Sequence, residues 1–184
     1  MRPFARLRGA DQSAILAARQ MEGMGVEAPE RVTLDSSGRL DFYDRAELTL
    51  PEPISALEVW NRIMARPQPV MALAFRIRDA ISARFGVRRI GGFSGIPRTE
   101  VAVGDRLDFF LVERAGPDLL VLTERDRHLD VMTCISTAGR QVAITSSVIT
   151  HNLFGRLYMI PVGPAHRLIV RRMLRRLAAA PPRR

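Results

Sequence analysis

The sequence contains no lysine and only one cysteine, and each absence excludes a kind of chemistry. All 28 basic residues are arginines, so the chain has no amine side chain to form a Schiff base or to act as a lysine base. The single cysteine, Cys134, excludes an internal disulfide, and its neighbours Val131, Met132 and Ile135 indicate a small buried residue, not a reactive thiol. We therefore expect a cytoplasmic protein.

Long apolar runs are also missing. No stretch approaches the roughly 20 apolar residues that a membrane-spanning helix needs. The start, MRPFARLRGADQSAILAARQ, lacks the continuous apolar core of a signal peptide. We therefore predict a soluble chain without a membrane span, and its 184 residues are enough for one domain with a proper core.

Acidic residues are absent from the last third of the chain. Up to Asp130 there are 19 arginines and 19 acidic residues, whereas residues 131–184 contain 9 arginines and no acid, so the net charge of +9 belongs entirely to this part. Within it, HRLIVRRMLRRL has the period of an amphipathic helix. Its apolar face holds His166, Ile169, Val170, Met173, Leu174 and Leu177, and its basic face holds Arg167, Arg171, Arg172, Arg175 and Arg176.

This basic helix has three possible roles. It can pack on a sheet with its arginines in water, lie on an anionic membrane surface, or bind nucleic acid. We favour the first, because arginine in the last turns complements the helix dipole and an apolar sheet needs a cover. A weak membrane-surface contact is the alternative, and nucleic acid is not the expected partner.

Periodicity predicts the order of the elements. Residues 1–34 form an N-terminal extension with one helix at SAILAARQME. LDFYDRAELTL alternates as a half-buried strand, SALE is a capping box that opens a helix ending near Arg66, and VMALAFRIRDAISARFG predicts a second helix. VRRIGGFSGIPRTE is rich in glycine and predicts a mobile loop with at most a short strand.

From Leu107 onward the pattern changes to strands separated by turns. LDFFLVE, LLVLTE, HLDVMTCIST and QVAITSSVITHN predict an antiparallel meander. The basic helix follows, with an irregular start at MIPVGPAH because of Pro161 and Pro164. The predicted domain covers residues 35–180, and residues 181–184 form a tail.

Four segments carry a family resemblance: YDRAELTLPE, VGDRLDFFLVE, ERDRHLDVMTCIS and THNLFGRLYMIPVGPAHRLIVRRML. They resemble a bacterial domain-of-unknown-function family of the START-like, or polyketide-cyclase-like, superfamily, and the resemblance covers residues 40–178. Some members of that family follow a nucleotide-sugar-epimerase-like reductase domain, which this chain lacks. The resemblance therefore makes a separate reductase a candidate partner.

The resemblance implies an α+β helix-grip fold, in which a curved antiparallel sheet wraps around a long C-terminal helix and two short helices follow the first strand. In that superfamily a cavity between sheet and helix holds lipids, polyketides or other apolar ligands. We therefore expect a binding protein for an apolar small molecule, without a cofactor. A cyclase- or hydrolase-type enzyme and an interaction protein acting through the basic helix are the alternatives.

The charged segment ERDRHLD offers the clearest candidate for catalysis. If HLDVMTCIST is a strand, His128 and Asp130 are neighbours on one face and can form an acid–base pair. With His151 or His166 they also fit a two-histidine, one-carboxylate metal site, although the spacing alone is weak support. The opposite parity, which includes Thr133, is the apolar one that suits a cavity, so a surface role for the pair is favoured and no metal is expected.

The candidate ligand-binding residues are His128, Asp130, Thr133, His151 and His166. His151 follows the last strand with Asn152, where either residue can cap the next helix. His166 begins the apolar face of the basic helix, where a buried, hydrogen-bonded histidine is the ordinary alternative to a ligand contact.

Overall fold

The computed structural model describes residues 28–35, 39–65 and 92–179. In chain order its elements are β1 (Phe42–Thr49), α1 (Ala56–Met64), β2 (Arg106–Leu107), β3 (Phe110–Ala115), β4 (Leu119–Arg125), β5 (Leu129–Ala138), β6 (Gln141–Thr150) and α2 (Leu153–Ala178). The helices predicted at residues 13–22 and 70–86 lie outside the described residues. The α+β class and the order of the other predicted elements are confirmed.

The strands form one curved antiparallel sheet in the order β1-β6-β5-β4-β3-β2. The predicted meander is confirmed, and the first strand extends it at one edge by pairing with β6 along its whole length. Gly139, with φ +55°, supplies the left-handed backbone in the tight turn between β5 and β6. A register shift between Val112 and Arg114 marks a bulge in β3, which increases the local twist.

The two faces of the sheet have different covers. On the inner face, the large apolar core of the sheet packs against α1 and α2 and includes Leu120, Leu122, Ile135 and Ile144. On the outer face, Leu119, Val121, Met132 and Cys134 form a smaller buried cluster with Val32 and Leu34 packed against it. The strands are therefore apolar on both sides, which explains their nearly continuous hydrophobic runs.

Residues 28–35 are held on the outer face by polar contacts as well as by Val32 and Leu34. Arg45 donates to the carbonyl oxygen of Pro29 at 2.8 Å, and Ser136 donates to the carbonyl oxygen of Glu30 at 2.8 Å. The Leu34 amide donates to Ser147 Oγ at 3.1 Å. These hydrogen bonds satisfy buried hydroxyls of the outer face with backbone groups.

Helix α1 begins as predicted and packs on the middle of the inner face. Ser55 is the N-cap, and its hydroxyl accepts a hydrogen bond from the Glu58 amide at 3.2 Å. Asn61 binds both backbone groups of Arg98, donating to the carbonyl at 2.8 Å and accepting from the amide at 3.0 Å. Trp60 packs edge-on against Phe93. The loop that follows residue 92 is thereby fixed to α1.

Helix α2 differs from the prediction in one respect. It runs without interruption from Leu153 and contains both Pro161 and Pro164, so the predicted irregular start at MIPVGPAH is wrong. Each proline removes one backbone hydrogen bond, but both side chains are exposed on the outer side of the helix. The Asn152 side chain caps the first turn by accepting from the Gly155 amide at 3.0 Å. The segment stays helical because the Asn152 cap fixes the turn before the prolines and the buried residues from Val170 onward fix the helix after them.

Candidate functional site

Three polar side chains lie side by side on the inner face of the sheet. The register places Ser146 of β6 directly opposite Asp44 of β1 on one side and Thr133 of β5 on the other. Cross-strand partners point to the same face, and here that face is the one covered by the helices. Asp44 and Ser146 are buried, with 8% and 2% of their surface exposed, within an otherwise apolar core. The three residues form the polar part of the inner face.

Helix α2 adds His166 to this polar group. Gly163 lets the helix approach β1 closely, because a Cβ atom there would lie 3.1 Å from the Phe42 ring. The His166 ring then packs edge-on against the same Phe42 ring, with centroids 5.6 Å apart. The guanidinium of Arg167 lies over the Phe42 ring, 5.0 Å from its centroid, and the Nε atom of Arg167 is 3.6 Å from Asp44 Oδ1. The position of His166 is therefore fixed by three neighbouring features: Gly163, the Phe42 ring and the ion pair between Arg167 and Asp44.

Two buried polar atoms of this site make no hydrogen bond. Within the part of the chain that the structure describes, they are Ser146 Oγ and His166 Nε2. His166 is partly exposed as a residue, but this nitrogen is buried. Nearly all buried polar atoms in folded proteins are hydrogen-bonded, so an exception needs a physical reason. Both exceptions lie on the inner face, one on the sheet and one on the helix above it.

Burial sets the charge state of His166. Loss of hydration lowers the pKa of His166, the carboxylate of Asp44 opposes this by raising it, and the guanidinium of Arg167 lowers it further. The ring is therefore neutral at neutral pH. A neutral imidazole can donate from one nitrogen and accept at the other, which suits a hydroxyl or a carbonyl group.

The lowered pKa of His166 predicts a loss of stability in mild acid. Between the folded pKa and the ordinary value of 6.5, the unfolded chain binds more protons than the folded chain. The contribution of neutral His166 is therefore complete above pH 6.5 and disappears as the pH falls through the folded pKa. We expect His166→Phe, which retains a ring against Phe42, to show a shallower fall in unfolding free energy than the unmodified protein. Urea titrations from neutral pH to about pH 5 measure this, and parallel curves would contradict it.

The residues of ERDRHLD lie elsewhere. His128 occupies the turn between β4 and β5, where its ring packs on Phe154 with centroids 4.6 Å apart and its Nδ1 lies 3.0 Å from the side-chain nitrogen of Asn152. Asp130 points to the outer face, opposite to the inner-face site, and its Oδ1 lies 3.0 Å from His151 Nε2. His128 and Asp130 thus have different partners. Their role as an acid–base pair stays a prediction.

The His151–Asp130 pair is a surface contact. The side chains are 39% and 23% exposed, which places the pair in high-dielectric surroundings where ion pairs contribute little. Among residues 28–35, 39–65 and 92–179, no group of three or more His, Cys, Asp or Glu residues is arranged to hold a metal ion. Of the five predicted ligand-binding residues, His166 and Thr133 thus lie at the inner face. The other three lie at the end of the sheet near the start of α2: His128, Asp130 and His151.

The two faces of the basic helix differ in burial. Val170, Met173, Leu174 and Leu177 are buried against the sheet and α1. All five arginines of the basic face are exposed: Arg167, Arg171, Arg172, Arg175 and Arg176. None of the helices within the described residues has the length and apolar character needed to cross a bilayer.

Sequence reasoning missed Asp44 as a site residue, although a signal was present. In LDFYDRAELTL, Asp44 has the same parity as Phe42 and Ala46, so the alternation places a carboxylate among core residues. A buried carboxylate needs a partner, and this requirement alone marks the position. Ser146 gave a weaker signal, because Thr145, Ser146 and Ser147 are consecutive and periodicity does not say which hydroxyl is unpaired.

The fold and the site together define an α+β protein in which one curved sheet carries a buried polar group beneath its C-terminal helix. Residues 36–173 match a protein family described as protein of unknown function (DUF2867), and since this is most of the chain, the protein belongs to that family. The predicted resemblance to a family of unknown function is thereby confirmed. No curated protein and no solved structure matches the sequence.

Proposed function

We propose that the protein binds an apolar small molecule between the inner face of the sheet and α2, and that Ser146 and His166 hold its polar group. The observation that carries this proposal is the pair of buried, unpaired atoms, Ser146 Oγ and His166 Nε2. Ligand sites are typically apolar with a few polar groups that fix orientation, and the inner face has this composition. A ligand that bonded both atoms would remove the desolvation penalty that each one carries.

The charges of the site indicate that the ligand's polar group is neutral. Asp44 is nearly buried and already has Arg167 as its ion-pair partner. A carboxylate on the ligand would be repelled by Asp44, and an amine would compete with Arg167 for it. The two unpaired atoms belong to a hydroxyl and a neutral imidazole, which pair best with an alcohol or a ketone. We therefore favour apolar alcohols and ketones over free fatty acids.

The resemblance to the START-like superfamily supports the same proposal. Domains of that superfamily hold lipids, polyketides and similar molecules between a curved sheet and the C-terminal helix. In this chain the two unpaired atoms lie on β6 and α2, so a molecule that contacted both would lie between the sheet and the C-terminal helix. The agreement of fold and site chemistry favours binding over catalysis, since the described inner-face residues include no nucleophile with a hydrogen-bonded base.

The first test is to identify what the protein carries. The protein would be purified from its own host and analysed by native mass spectrometry, followed by extraction and mass analysis of the small molecules. We expect a stoichiometric apolar compound with a hydroxyl or carbonyl group. A bound fatty acid would contradict the neutral-group argument, and a ligand-free protein that also fails to take up apolar alcohols and ketones would overturn the proposal.

Variants then test the roles of the two side chains. Ser146→Ala and His166→Phe each remove one hydrogen-bonding group, so each should weaken binding of the identified compound about threefold to tenfold, as measured by calorimetry or fluorescence titration. Ser147→Ala is the matched control, because Ser147 lies next to Ser146 on the same strand but faces outward and bonds Leu34. If Ser146→Ala and Ser147→Ala reduced the binding affinity equally, the loss would reflect a general change in the stability of β6 and not a lost contact between Ser146 and the ligand.

A further inference from the structure

The outward surface of α2 carries apolar side chains that are about half or more exposed to solvent. Leu153, Leu157, Ile160 and Leu168, here called the outer stripe, are exposed by 70%, 56%, 67% and 49%. Single exposed apolar residues are ordinary on protein surfaces, but a row of them on one element marks a contact surface. The outer stripe was not part of the predicted apolar face, which begins at His166 and packs inward.

The spacing places these side chains on one side of the helix. Leu153, Leu157, Ile160 and Leu168 follow the period of 3.6 residues and extend over about 22 Å of helix. Buried residues of α2 such as Met173 and Leu177 lie on the opposite side and pack against the core. The helix therefore has an apolar side toward the sheet and a second apolar side toward solvent.

Arginines flank and continue the outer stripe. Arg156 and Arg167 are exposed beside it, and Arg171 and Arg175 follow Leu168 at the same helical spacing. Residues 131–184 contain no acidic side chain, so β6 and α2 bring no negative charge of their own to this surface. A second copy of the chain would place like charges against each other, which disfavours dimerisation through this face. The surface is complementary to an anionic partner.

The combination of leucines and arginines indicates which anionic partner fits. A nucleic-acid interface uses arginine to contact phosphates but gains little from a row of exposed leucines. An interfacial helix at a bilayer uses both, with apolar side chains among the acyl chains and arginines at the anionic headgroups. We propose that the outer stripe and the arginines around it dock the protein on an anionic lipid surface. This proposal is independent of the inner-face site.

The test uses the full chain and vesicles of defined composition. Co-sedimentation with phosphatidylcholine vesicles that contain about one-third phosphatidylglycerol should show binding, and vesicles of phosphatidylcholine alone should show much less. Binding should fall at least tenfold when the salt concentration is raised from about 0.05 to about 0.5 M, because the headgroup attraction is screened.

Two double variants separate the apolar and the charged contributions. Leu157→Gln with Ile160→Gln and Arg171→Gln with Arg175→Gln should each reduce vesicle binding by roughly ten- to thirtyfold. All four side chains are exposed, so the fold should survive, and an unfolding curve would verify this.

Matched controls lie elsewhere on the surface. Ile96→Gln with Val103→Gln replaces side chains that are 65% and 68% exposed but lie outside α2, and Arg98→Gln with Arg140→Gln removes the same charge away from the outer stripe. Each control variant should bind the anionic vesicles with an affinity within about threefold of that of the unmodified protein.

Four results would overturn the proposal. The first is no binding to anionic vesicles, and the second is an equal loss of vesicle binding in the variants and in the controls. The third is a dimer in solution that dissociates when Leu157 and Ile160 are replaced by glutamine. The fourth is binding to duplex DNA that needs the arginines but not the apolar side chains of the outer stripe. The first three exclude a specific lipid contact at this face, and the last assigns the arginines to nucleic acid.

Discussion

Replacing Gly155 with alanine is expected to lower the free energy of unfolding by about 3 kcal/mol. A Cβ atom at this position would overlap the carbonyl oxygen of His128 and would lie 3.2 Å from Thr150 Cβ. The His128 carbonyl already accepts from the His151 amide at 2.8 Å, so it cannot move without breaking that hydrogen bond. The start of α2 is therefore pressed against the end of the sheet, and only glycine fits between them.

Urea unfolding of Gly155→Ala measures this effect, and Gly116→Ala is the control. Gly116 lies in the turn between β3 and β4, where the nearest contact of an added Cβ would be the Leu119 carbonyl oxygen at an ordinary 3.9 Å. The control should change stability by no more than about 0.5 kcal/mol. Similar stabilities for the two variants would show that the beginning of α2 is not in tight contact with the sheet.

Replacing Trp60 with alanine should have an effect of similar or larger size, about 4 kcal/mol. Trp60 is 3% exposed and packs edge-on against Phe93 at 5.5 Å and Phe110 at 6.1 Å between ring centroids. It thus joins α1, the loop after residue 92 and the sheet. Its removal would leave a cavity that the surrounding strands cannot close.

Tyr43→Ala is the matched control for the Trp60 variant. Tyr43 is also aromatic but is 38% exposed on the outer side of β1, so its truncation should lower stability by about 1 kcal/mol or less. Thermal or urea unfolding compares the two variants. Equal losses would mean that the contacts of Trp60 do not carry the packing of α1 on the sheet.

The strands and their order could be predicted because periodicity reports burial directly. In β1 the alternation correctly places Phe42 and Ala46 on the inner face and Tyr43 and Arg45 on the outer face. In β5 it correctly separates Met132 and Cys134, which face outward, from Thr133 and Ile135, which face inward. The two-residue strand β2 was beyond this approach, because a pair such as Arg106–Leu107 has no period to detect.

The start of α2 could not be predicted from local rules. Pro161 and Pro164 are unfavourable inside a helix, and a local prediction gives them full weight. The structure keeps the helix because Asn152 caps it and Gly155 and Gly163 let it approach the sheet. These contacts are tertiary and depend on residues distant in sequence.

The site was predicted only in part for a related reason. His166 and Thr133 were found because they interrupt apolar faces, but their meeting with Asp44 and Ser146 depends on the register of three strands and the position of α2. The pairing of His128 with Asn152 and of Asp130 with His151 depends in the same way on how the turn before β5 meets the start of α2. A spacing of two residues in a strand does not contain this information.

The two neighbouring serines of β6 show that one kind of side chain can affect stability in opposite directions. Ser147 accepts a hydrogen bond from the Leu34 amide and fastens residues 28–35 to the outer face, whereas Ser146 is buried one residue earlier without a partner. A paired hydroxyl stabilises the fold, and an unpaired one weakens it by the loss of its hydration. We therefore expect the free protein to be less stable than a chain with alanine at position 146, and a bound molecule that paired with Ser146 would remove this small penalty.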